Sequence, residues 1–163
     1  MIRNTTKHQK MGWVLFIGYL ALLVYFLFFA ESFGRTDSTR SGYAYNLKPF
    51  KEITRFWIYR DRLGFKAFFL NIFGNVAAFI PCGFFLPIVS RRSKQWQNTV
   101  AISFGFSLSV ELTQLVSKVG SFDVDDLILN TMGAALGYIL YQIVQRTRIW
   151  RRHHAGKKKK VSH

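Results

Sequence analysis

The sequence predicts an all-α, polytopic membrane protein: a four-transmembrane-helix bundle with a short interfacial helix between the first and second spans. Two observations predict this fold class. Half of the 163 residues are hydrophobic and 17% are aromatic, although the formal net charge is +15. The apolar residues are gathered in four long runs, and most basic residues lie before, between or after them. Intrinsic disorder is excluded because disordered chains are poor in aromatic residues, and a single cysteine excludes a disulfide scaffold.

The first span is predicted at residues 12–30, which read GWVLFIGYLALLVYFLFFA and carry no charge. A hydrocarbon core of about 30 Å requires roughly 20 apolar residues in a helix. Three basic residues precede the run, as in a signal peptide, but the run is longer than a signal-peptide core and Ala30-Glu31-Ser32 is a poor cleavage site. We therefore expect an uncleaved anchor. The helices of a soluble bundle, the alternative, would each show a polar face, which this run lacks.

The other three spans are apolar runs interrupted by a few polar residues, and they cover residues 65–89, 99–117 and 127–145. Together the four spans make one membrane domain over residues 12–145. A basic N-terminal segment, residues 1–11, precedes this domain, and a polybasic tail, residues 146–163, follows it.

The distribution of Lys and Arg predicts that both termini lie in the cytoplasm, since basic residues near span ends favour that side. Three basic residues precede the first span, three lie in the connection 90–98, and eight lie in the tail. The connection 118–126 instead carries one Lys and three Asp. The connection 31–64 opposes this orientation because it is basic, but it is long and also contains four acidic residues.

The polybasic tail predicts contact with anionic lipids of the cytoplasmic leaflet. Arg151, Arg152 and the lysines at 157–160 follow the fourth span, and each charge near an anionic surface contributes about 1 kcal/mol. A basic tail is also typical of nucleic-acid binding, but the membrane anchor argues against a nucleic-acid partner.

The interfacial helix is predicted from residues at helical spacing in the connection between the first two spans. Its apolar members are Phe50, Ile53, Phe56 and Trp57, and the polar positions around them are Lys51, Glu52, Arg55 and Arg62. Such a pattern is typical of a helix that lies in the membrane interface. An aromatic belt that leads into the second span is the alternative.

Three of the spans carry polar side chains, which are costly in hydrocarbon and require a reason. Asn71 and Asn75 share one face of the second span, and Glu111 and Gln114 share one face of the third. Asn130 lies about one turn below the start of the fourth span. At 1.5 Å per residue, all five reach a similar depth in the outer half of the bilayer. We expect them to face one another, with Glu111 accepting hydrogen bonds from the second-span asparagines or from Gln114.

Three carboxylates, those of Asp123, Asp125 and Asp126, crowd the entrance to the fourth span. They could attract a cation or an amine, accept donors from the basic connection 31–64, which the predicted orientation places outside and which we call the outer connection, or cap the helix. Two roles for the whole polar group stay open. The residues either join the helices through hydrogen bonds of about 0.6 kcal/mol each, or form a binding site that opens outward.

In the fourth span, Gly133 and Gly137 form a G-x-x-x-G pattern, which permits close helix approach and is compatible with a homo-oligomer.

Four stretches of this sequence resemble the VanZ-like family of small bacterial membrane proteins. Residues 46–50 read NLKPF, similar to the family's N-L-x-P-F, and residues 71–83 resemble N-x-x-G-N-x-x-x-F-x-P-x-G. Ser109, Glu111 and Gln114 match S-x-x-E-x-x-Q loosely at the serine, and residues 122–133 resemble F-D-x-D-D-x-x-x-N-T-x-G. Family members often carry Arg just before the Ser-Phe-Asp stretch, where this chain has Gly120, with Lys118 nearby.

The resemblance implies an accessory protein of the bacterial plasma membrane, whose founding relative is associated with resistance to teicoplanin, a lipid-anchored glycopeptide. We therefore expect a non-enzymatic module whose partner is a lipid-linked envelope component or a lipoglycopeptide. Its polar site would comprise Asn71, Asn75, Glu111, Gln114, Asp126 and Asn130, with Asp123 and Asp125 at the mouth.

Two other functions are compared with this one. A small transporter or flippase would use Glu111 as a proton carrier, and would need a dimer because four spans are few for a transport path. An intramembrane enzyme would use Glu111 and Asp126 as an acid–base pair. No Ser-His or Cys-His arrangement and no phosphate-binding glycine loop supports an enzyme, because the four histidines lie in the terminal segments. No metal or cofactor is expected.

Overall fold

The computed structural model describes residues 7–25, 43, 45–59, 65–118 and 120–161. Five helices account for most of these residues: α1 (Lys7–Tyr25), α2 (Lys51–Ile58), α3 (Phe65–Val89), α4 (Trp96–Ser117) and α5 (Val124–Val161). A 3-10 turn (Arg92–Lys94) joins α3 to α4, and two short strands complete the described part, β1 (Tyr45–Asn46) and β2 (Phe122–Asp123). The protein is therefore mostly helical, as the sequence predicts.

Among the described residues, three helical segments are long and apolar enough to cross a membrane: Asn71–Val89, Trp96–Ser117 and Val124–Arg148. They correspond to the second, third and fourth predicted spans. The predicted first span, 12–30, corresponds to α1, but its residues 26–30 lie outside the described residues. Within the described part, the apolar helix Lys10–Tyr25 is shorter than the three others, so a fourth span stays a prediction.

The bounds of α3 coincide with the predicted second span, and both Pro81 and Pro87 lie inside the helix. Helix α5 differs from its prediction because it continues beyond residue 145 to Val161. Its 38 residues correspond to about 57 Å at 1.5 Å per residue, nearly twice the hydrocarbon thickness. The extension is rich in Arg and Lys and contains no proline, a composition that favours helix. The polybasic segment therefore continues helix α5.

Helices α3 and α5 approach each other through glycines. Gly133 and Gly137 of α5 lie against the backbone carbonyls of Val76 and Ile80 in α3, so closely that a Cβ atom would overlap them. Gly83 of α3 makes the same approach to the backbone of α5. The G-x-x-x-G pattern is therefore used for packing inside this chain, which is the intramolecular alternative to a contact between two copies.

Helix α1 packs against α3 through an apolar cluster whose buried members are Phe16, Leu23, Phe79, Cys82 and Leu86. The Tyr19 hydroxyl also donates a hydrogen bond of 2.6 Å to the Ala78 carbonyl of α3. This phenol fixes α1 at the depth of α3 where proline interrupts the regular helical hydrogen bonds.

The two strands pair in parallel, with Tyr45 opposite Phe122 and Asn46 opposite Asp123. The pairing brings the connection before α2 to the start of α5, and the sequence analysis did not predict it. Two-residue strands are too short to show the alternation of apolar and polar residues by which strands are recognised.

The glycine contacts predict a stability difference between two similar substitutions. We expect Gly133→Ala to lower the free energy of unfolding in detergent by about 1–3 kcal/mol, the usual cost of overpacking a tight contact. Gly105→Ala is the matched control, because nothing lies within 4 Å of the added methyl group and alanine is the better helix former. Titration with denaturing detergent, followed by circular dichroism, measures both. Equal stability of the two variants would contradict the close contact of α3 with α5.

Candidate functional site

Four carboxylates meet where β2, the start of α5 and the end of α4 come together. We call this group, Glu111, Asp123, Asp125 and Asp126, the acidic end of the bundle. The sequence predicted all four as site residues, Glu111 from its depth in the third span and the three aspartates from their place at the entrance to the fourth span. The structure supplies the partner of each carboxylate, and these partners decide what the group does.

Asp125 caps a helix that is distant in sequence. Its carboxylate accepts backbone N–H bonds from Phe50 at 2.5 Å, Glu52 at 2.8 Å and Ile53 at 3.1 Å, all at the start of α2. The first N–H groups of a helix have no partner within it, and aspartate is among the best residues to supply one. Phe50 precedes α2 and offers no side-chain acceptor, so Asp125 provides the cap from 75 residues away.

The electrostatics of this cap are favourable. The N-terminus of a helix carries a partial positive charge, and an anion placed there is stabilising. Asp125 is only 1% exposed, so its interaction with that end is weakly screened by water. Of the three roles considered for the aspartates, Asp125 therefore accepts donors from the outer connection, and these donors are backbone amides.

Asp123 caps its own helix. Its Oδ1 accepts the Asp125 N–H at 2.8 Å, the usual geometry of a capping aspartate at a helix start, and the Asn46 amide at 3.1 Å. Burial raises the pKa of Asp123, and the hydrogen bonds from Asp125 and Asn46 lower it by less. The side chain of Asn46 also accepts the Lys48 N–H at 3.3 Å. Asn46 was not among the site residues predicted from the sequence, although it lies in the N-L-x-P-F match.

Glu111 joins α4 to this group. Its Oε2 accepts the Asp123 N–H at 2.9 Å, and the side chain is 3% exposed. The sequence predicted that Glu111 would accept hydrogen bonds from the second-span asparagines or from Gln114; the structure shows the backbone N–H of Asp123 among its donors. Gln114 is also buried. Its backbone carbonyl oxygen accepts the Gly120 N–H at 3.3 Å, where the chain turns towards β2.

Asp126 joins α5 to α3. The Asn75 amide donates to Asp126 Oδ1 at 2.5 Å, so this pair joins the helices that correspond to the second and fourth predicted spans. Asn71 lies one turn earlier on α3 and is half-buried. No hydrogen bond joins Asn71 to another residue in the described part of the chain.

Asn130 lies deeper and does not contact the carboxylates through its described hydrogen bond. Its amide donates to the Ser107 hydroxyl of α4 at 2.9 Å. Ser107 belongs to a buried polar stripe along α4, whose members are Thr99, Ser103, Ser107, Glu111 and Gln114. Ser109, the serine in the loose family match, is exposed and bonds the Gly105 carbonyl of its own helix. A spacing of three or four residues from Glu111 was the signal that could have identified Ser107.

Lys118 links the end of α4 to the outer connection. Its ammonium group lies 5.0 Å from the centre of the Tyr43 ring, which is a cation–π distance. Lys118 thus contacts the same connection that Asp125 holds. Lys118 lies two residues before Gly120, the position at which the sequence departs from the family pattern.

The outer connection presents apolar side chains away from the acidic end. The exposed large residues between 43 and 59 are Tyr43, Tyr45, Leu47, Phe50, Trp57, Ile58 and Tyr59. Of the four residues that predicted an interfacial helix, Phe50 and Trp57 are exposed, Ile53 is half-buried, and the side chain of Phe56 is outside the described residues. A short helix, α2, is present at the predicted place, and its exposed residues are Trp57 and Ile58 beside Lys51, Thr54 and Arg55.

No group of three His, Cys, Asp or Glu side chains in the described part of the chain is arranged to hold a metal ion. The carboxylates instead accept hydrogen bonds from backbone and amide donors. The arrangement can therefore fix the outer connection against three helices of the bundle.

A family model described as VanZ/LLP1 matches residues 16–145, most of the chain. No curated protein and no solved structure matches the chain. The matched range contains the whole acidic end, both strands and α2.

The capping contacts predict a local effect of removing one carboxylate. In Asp125→Ala we expect amide hydrogen exchange at residues 50–53 to become at least tenfold faster. Each buried donor left without a partner costs about 1–3 kcal/mol, and about 1.4 kcal/mol is a factor of ten. Exchange followed by mass spectrometry measures it. Asp126→Asn is the control, because it keeps an oxygen for Asn75 and should leave α2 unchanged. Unchanged exchange in Asp125→Ala would contradict the capping role.

The raised pKa of Asp123 predicts a pH dependence of stability. Because the unfolded chain ionises near the ordinary value of 3.8 and the folded chain at a higher pH, the folded state binds more protons between the two values. The free energy of unfolding should therefore fall as the pH rises through this window. Asp123→Asn keeps an oxygen that can accept both hydrogen bonds, and we expect a shallower decline. Unfolding in detergent at several pH values compares the two; parallel curves would refute this assignment.

Proposed function

The chain belongs to the VanZ-like family, and from that premise we propose that it is a non-enzymatic accessory protein of the bacterial cell envelope. In this proposal it holds an interfacial helix at the outer surface of the plasma membrane. The helix engages an amphiphilic envelope component, either a lipid-linked precursor or a lipoglycopeptide such as teicoplanin.

The proposed topology has four spans and two cytoplasmic termini. Helix α1 is the first span, and the acidic end faces outward. Support comes from the charges at the two ends of the bundle: the connection 90–98 and the segment after residue 145 carry Lys and Arg without acidic residues, whereas the aspartates follow α4 at the other end. Basic residues near span ends favour the cytoplasmic side.

The observation that carries the proposal is the capping of α2 by Asp125. An eight-residue helix is not stable alone in water, so α2 depends on contacts made elsewhere. The buried carboxylate holds its N-terminus against the bundle, while Trp57 and Ile58 at the other end are 59% and 63% exposed. A helix held at one end with apolar residues exposed is suited to lie among lipid headgroups and acyl chains.

The chemistry of the exposed surface favours an amphiphile over a small polar ligand. Trp57 and Tyr59 offer aromatic rings with a polar edge, the side chains that concentrate at membrane interfaces. Leu47 and Phe50 extend this surface towards β1, and both are exposed. A lipid chain would pack on these residues, and the polar part of the same molecule would lie towards water.

The partners of the carboxylates support a non-enzymatic role over an acid–base pair. Glu111 accepts a backbone N–H, and Asp126 accepts the Asn75 amide. Each bond joins two elements of the fold: the first joins α4 to β2, and the second joins α3 to α5. A general acid or base would instead have to exchange protons with a substrate within hydrogen-bond reach.

The proposal predicts that polar substitution on α2 abolishes a selective tolerance to teicoplanin. In a sensitive Gram-positive host, expression of the wild-type protein should raise tolerance to teicoplanin more than tolerance to vancomycin, which lacks the lipid anchor. The double variant Trp57→Ser, Ile58→Ser removes the apolar contact without touching Asp125, so it should lose this effect. Minimum inhibitory concentrations measure tolerance, and immunoblots of membranes measure abundance.

Arg55→Gln is the matched control on the polar side of the same helix. It changes a surface side chain whose ion pair with Glu52 contributes little to stability, and it should retain the wild-type tolerance. If wild type at full membrane abundance leaves teicoplanin tolerance unchanged, the lipoglycopeptide is not the partner. If Arg55→Gln and the double variant lose tolerance equally, the apolar surface is not the determinant.

A further inference from the structure

A groove lies at the end of the bundle opposite the carboxylates. We call this the basic end, defined by Arg91, Arg92, Lys94 and Arg146. The groove runs between the start of α4 and the middle of α5 and has a cavity volume of about 480 Å³. The residues that line it include Trp96, Ala135, Tyr138, Ile139, Gln142 and Arg146.

The side chains along the α5 wall change character with depth in a fixed order. Arg146 is at the mouth, Gln142 is one turn deeper, and Ile139 and Ala135 follow. At 1.5 Å per residue, Gln142 lies about 6 Å below Arg146 and Ala135 about 16 Å below it. The latter distance is close to half of a hydrocarbon core of about 30 Å, which is the depth of one leaflet.

The middle of the groove holds a directed pair of hydrogen bonds. The Tyr138 hydroxyl donates to the Lys94 carbonyl at 2.6 Å, and the Gln142 amide donates to the Tyr138 oxygen at 2.9 Å. Because a primary amide has two N–H donors, Gln142 retains one. In the described part of the chain no acceptor takes this second N–H.

The charge at the mouth has no counter-charge nearby in the sequence. The connection 90–98 contains no Asp or Glu, and neither does any position after Asp126. The Arg146 side chain is exposed, and a guanidinium group offers paired donors that suit a phosphate. The mouth therefore favours an anion.

We propose that this groove binds one anionic phospholipid. The phosphate bonds to Arg146, an ester carbonyl just below it accepts the free N–H of Gln142, and one acyl chain lies along Ile139 and Ala135. From the mouth inward, the groove presents a cation, an amide donor and an apolar wall. A phospholipid presents its phosphate, ester and acyl chain in the same order. The site is at the opposite end from Asp125, so it does not depend on the function proposed for the acidic end.

Trp96 lines the groove and reports its occupancy. A chain with Trp13, Trp57 and Trp150 replaced by Phe keeps Trp96 as its single indole. The full-length protein is placed in phosphatidylcholine vesicles that contain a small fraction of phosphatidylglycerol brominated on its acyl chains, which quenches nearby tryptophan. Brominated phosphatidylcholine at the same fraction gives the reference. We expect phosphatidylglycerol to bind about fivefold more tightly, the effect of about one cation near an anionic lipid.

Arg146→Gln should abolish this preference. Arg148→Gln is the matched control, since it removes the same charge from the same end of α5 at a residue that does not line the groove, and it should retain the preference. Ala135→Leu fills the apolar wall and should weaken quenching by phosphatidylglycerol while Arg146 is intact. Equal losses in Arg146→Gln and Arg148→Gln would reduce the effect to general surface attraction and overturn the site. Equal quenching by the two lipids in the unsubstituted groove would also overturn it.

Discussion

The carboxylate of Asp125, buried and bonded to the first N–H groups of α2, is the interaction on which the arrangement of the outer connection depends. Asp123, Asp125 and Asp126 lie within four consecutive residues at the start of α5. Since successive residues of a helix point about 100° apart, these side chains reach different neighbours. Asp125 holds α2, Asp126 bonds to α3 through Asn75, and the backbone of Asp123 bonds to Glu111 of α4. One helix start therefore organises the three elements around it.

These bonds require α5 to be fixed relative to α3, and glycine provides that. Helices in lipid gain little from hydrophobic association, so close backbone contact and interhelical hydrogen bonds must hold them together. Gly133 and Gly137 lie two to three turns below Asp126 and set the distance between the two helices. The Asn75 side chain and the Val76 carbonyl belong to consecutive residues of α3, and both contact α5. Close packing and the Asn75–Asp126 bond thus restrain the same pair of helices at neighbouring depths.

Much of the architecture could be predicted because it follows from hydropathy and from the cost of burying polar groups. The apolar runs gave the bounds of α3 and most of α4, and their polar interruptions indicated that Asn75 and Glu111 lie at a similar depth, below the aspartates at the entrance to the fourth span. The partners could not be predicted in the same way. Every residue type except proline has a backbone N–H, so a carboxylate that bonds to the backbone leaves no complementary side chain in the sequence. The stripe that includes Ser103 and Ser107 was missed because serine carries no charge and can bond to a backbone carbonyl of its own helix, so a serine in an apolar span does not by itself require a partner on another helix.

The two ends of the bundle differ in how their charges are satisfied, and this difference separates their roles. At the acidic end, Asp123 and Asp125 are buried and bonded within the chain, so exposed residues of α2 and β1 contribute more to the surface of this end than these two carboxylates do. At the basic end, Arg146 is exposed and the surrounding sequence provides no acid. No Asp or Glu lies in the connection 90–98 or after Asp126, and the anion that we propose for this end comes from the surrounding lipid. In these proposals, contacts at the first end depend on apolar surface, and contacts at the second depend on charge.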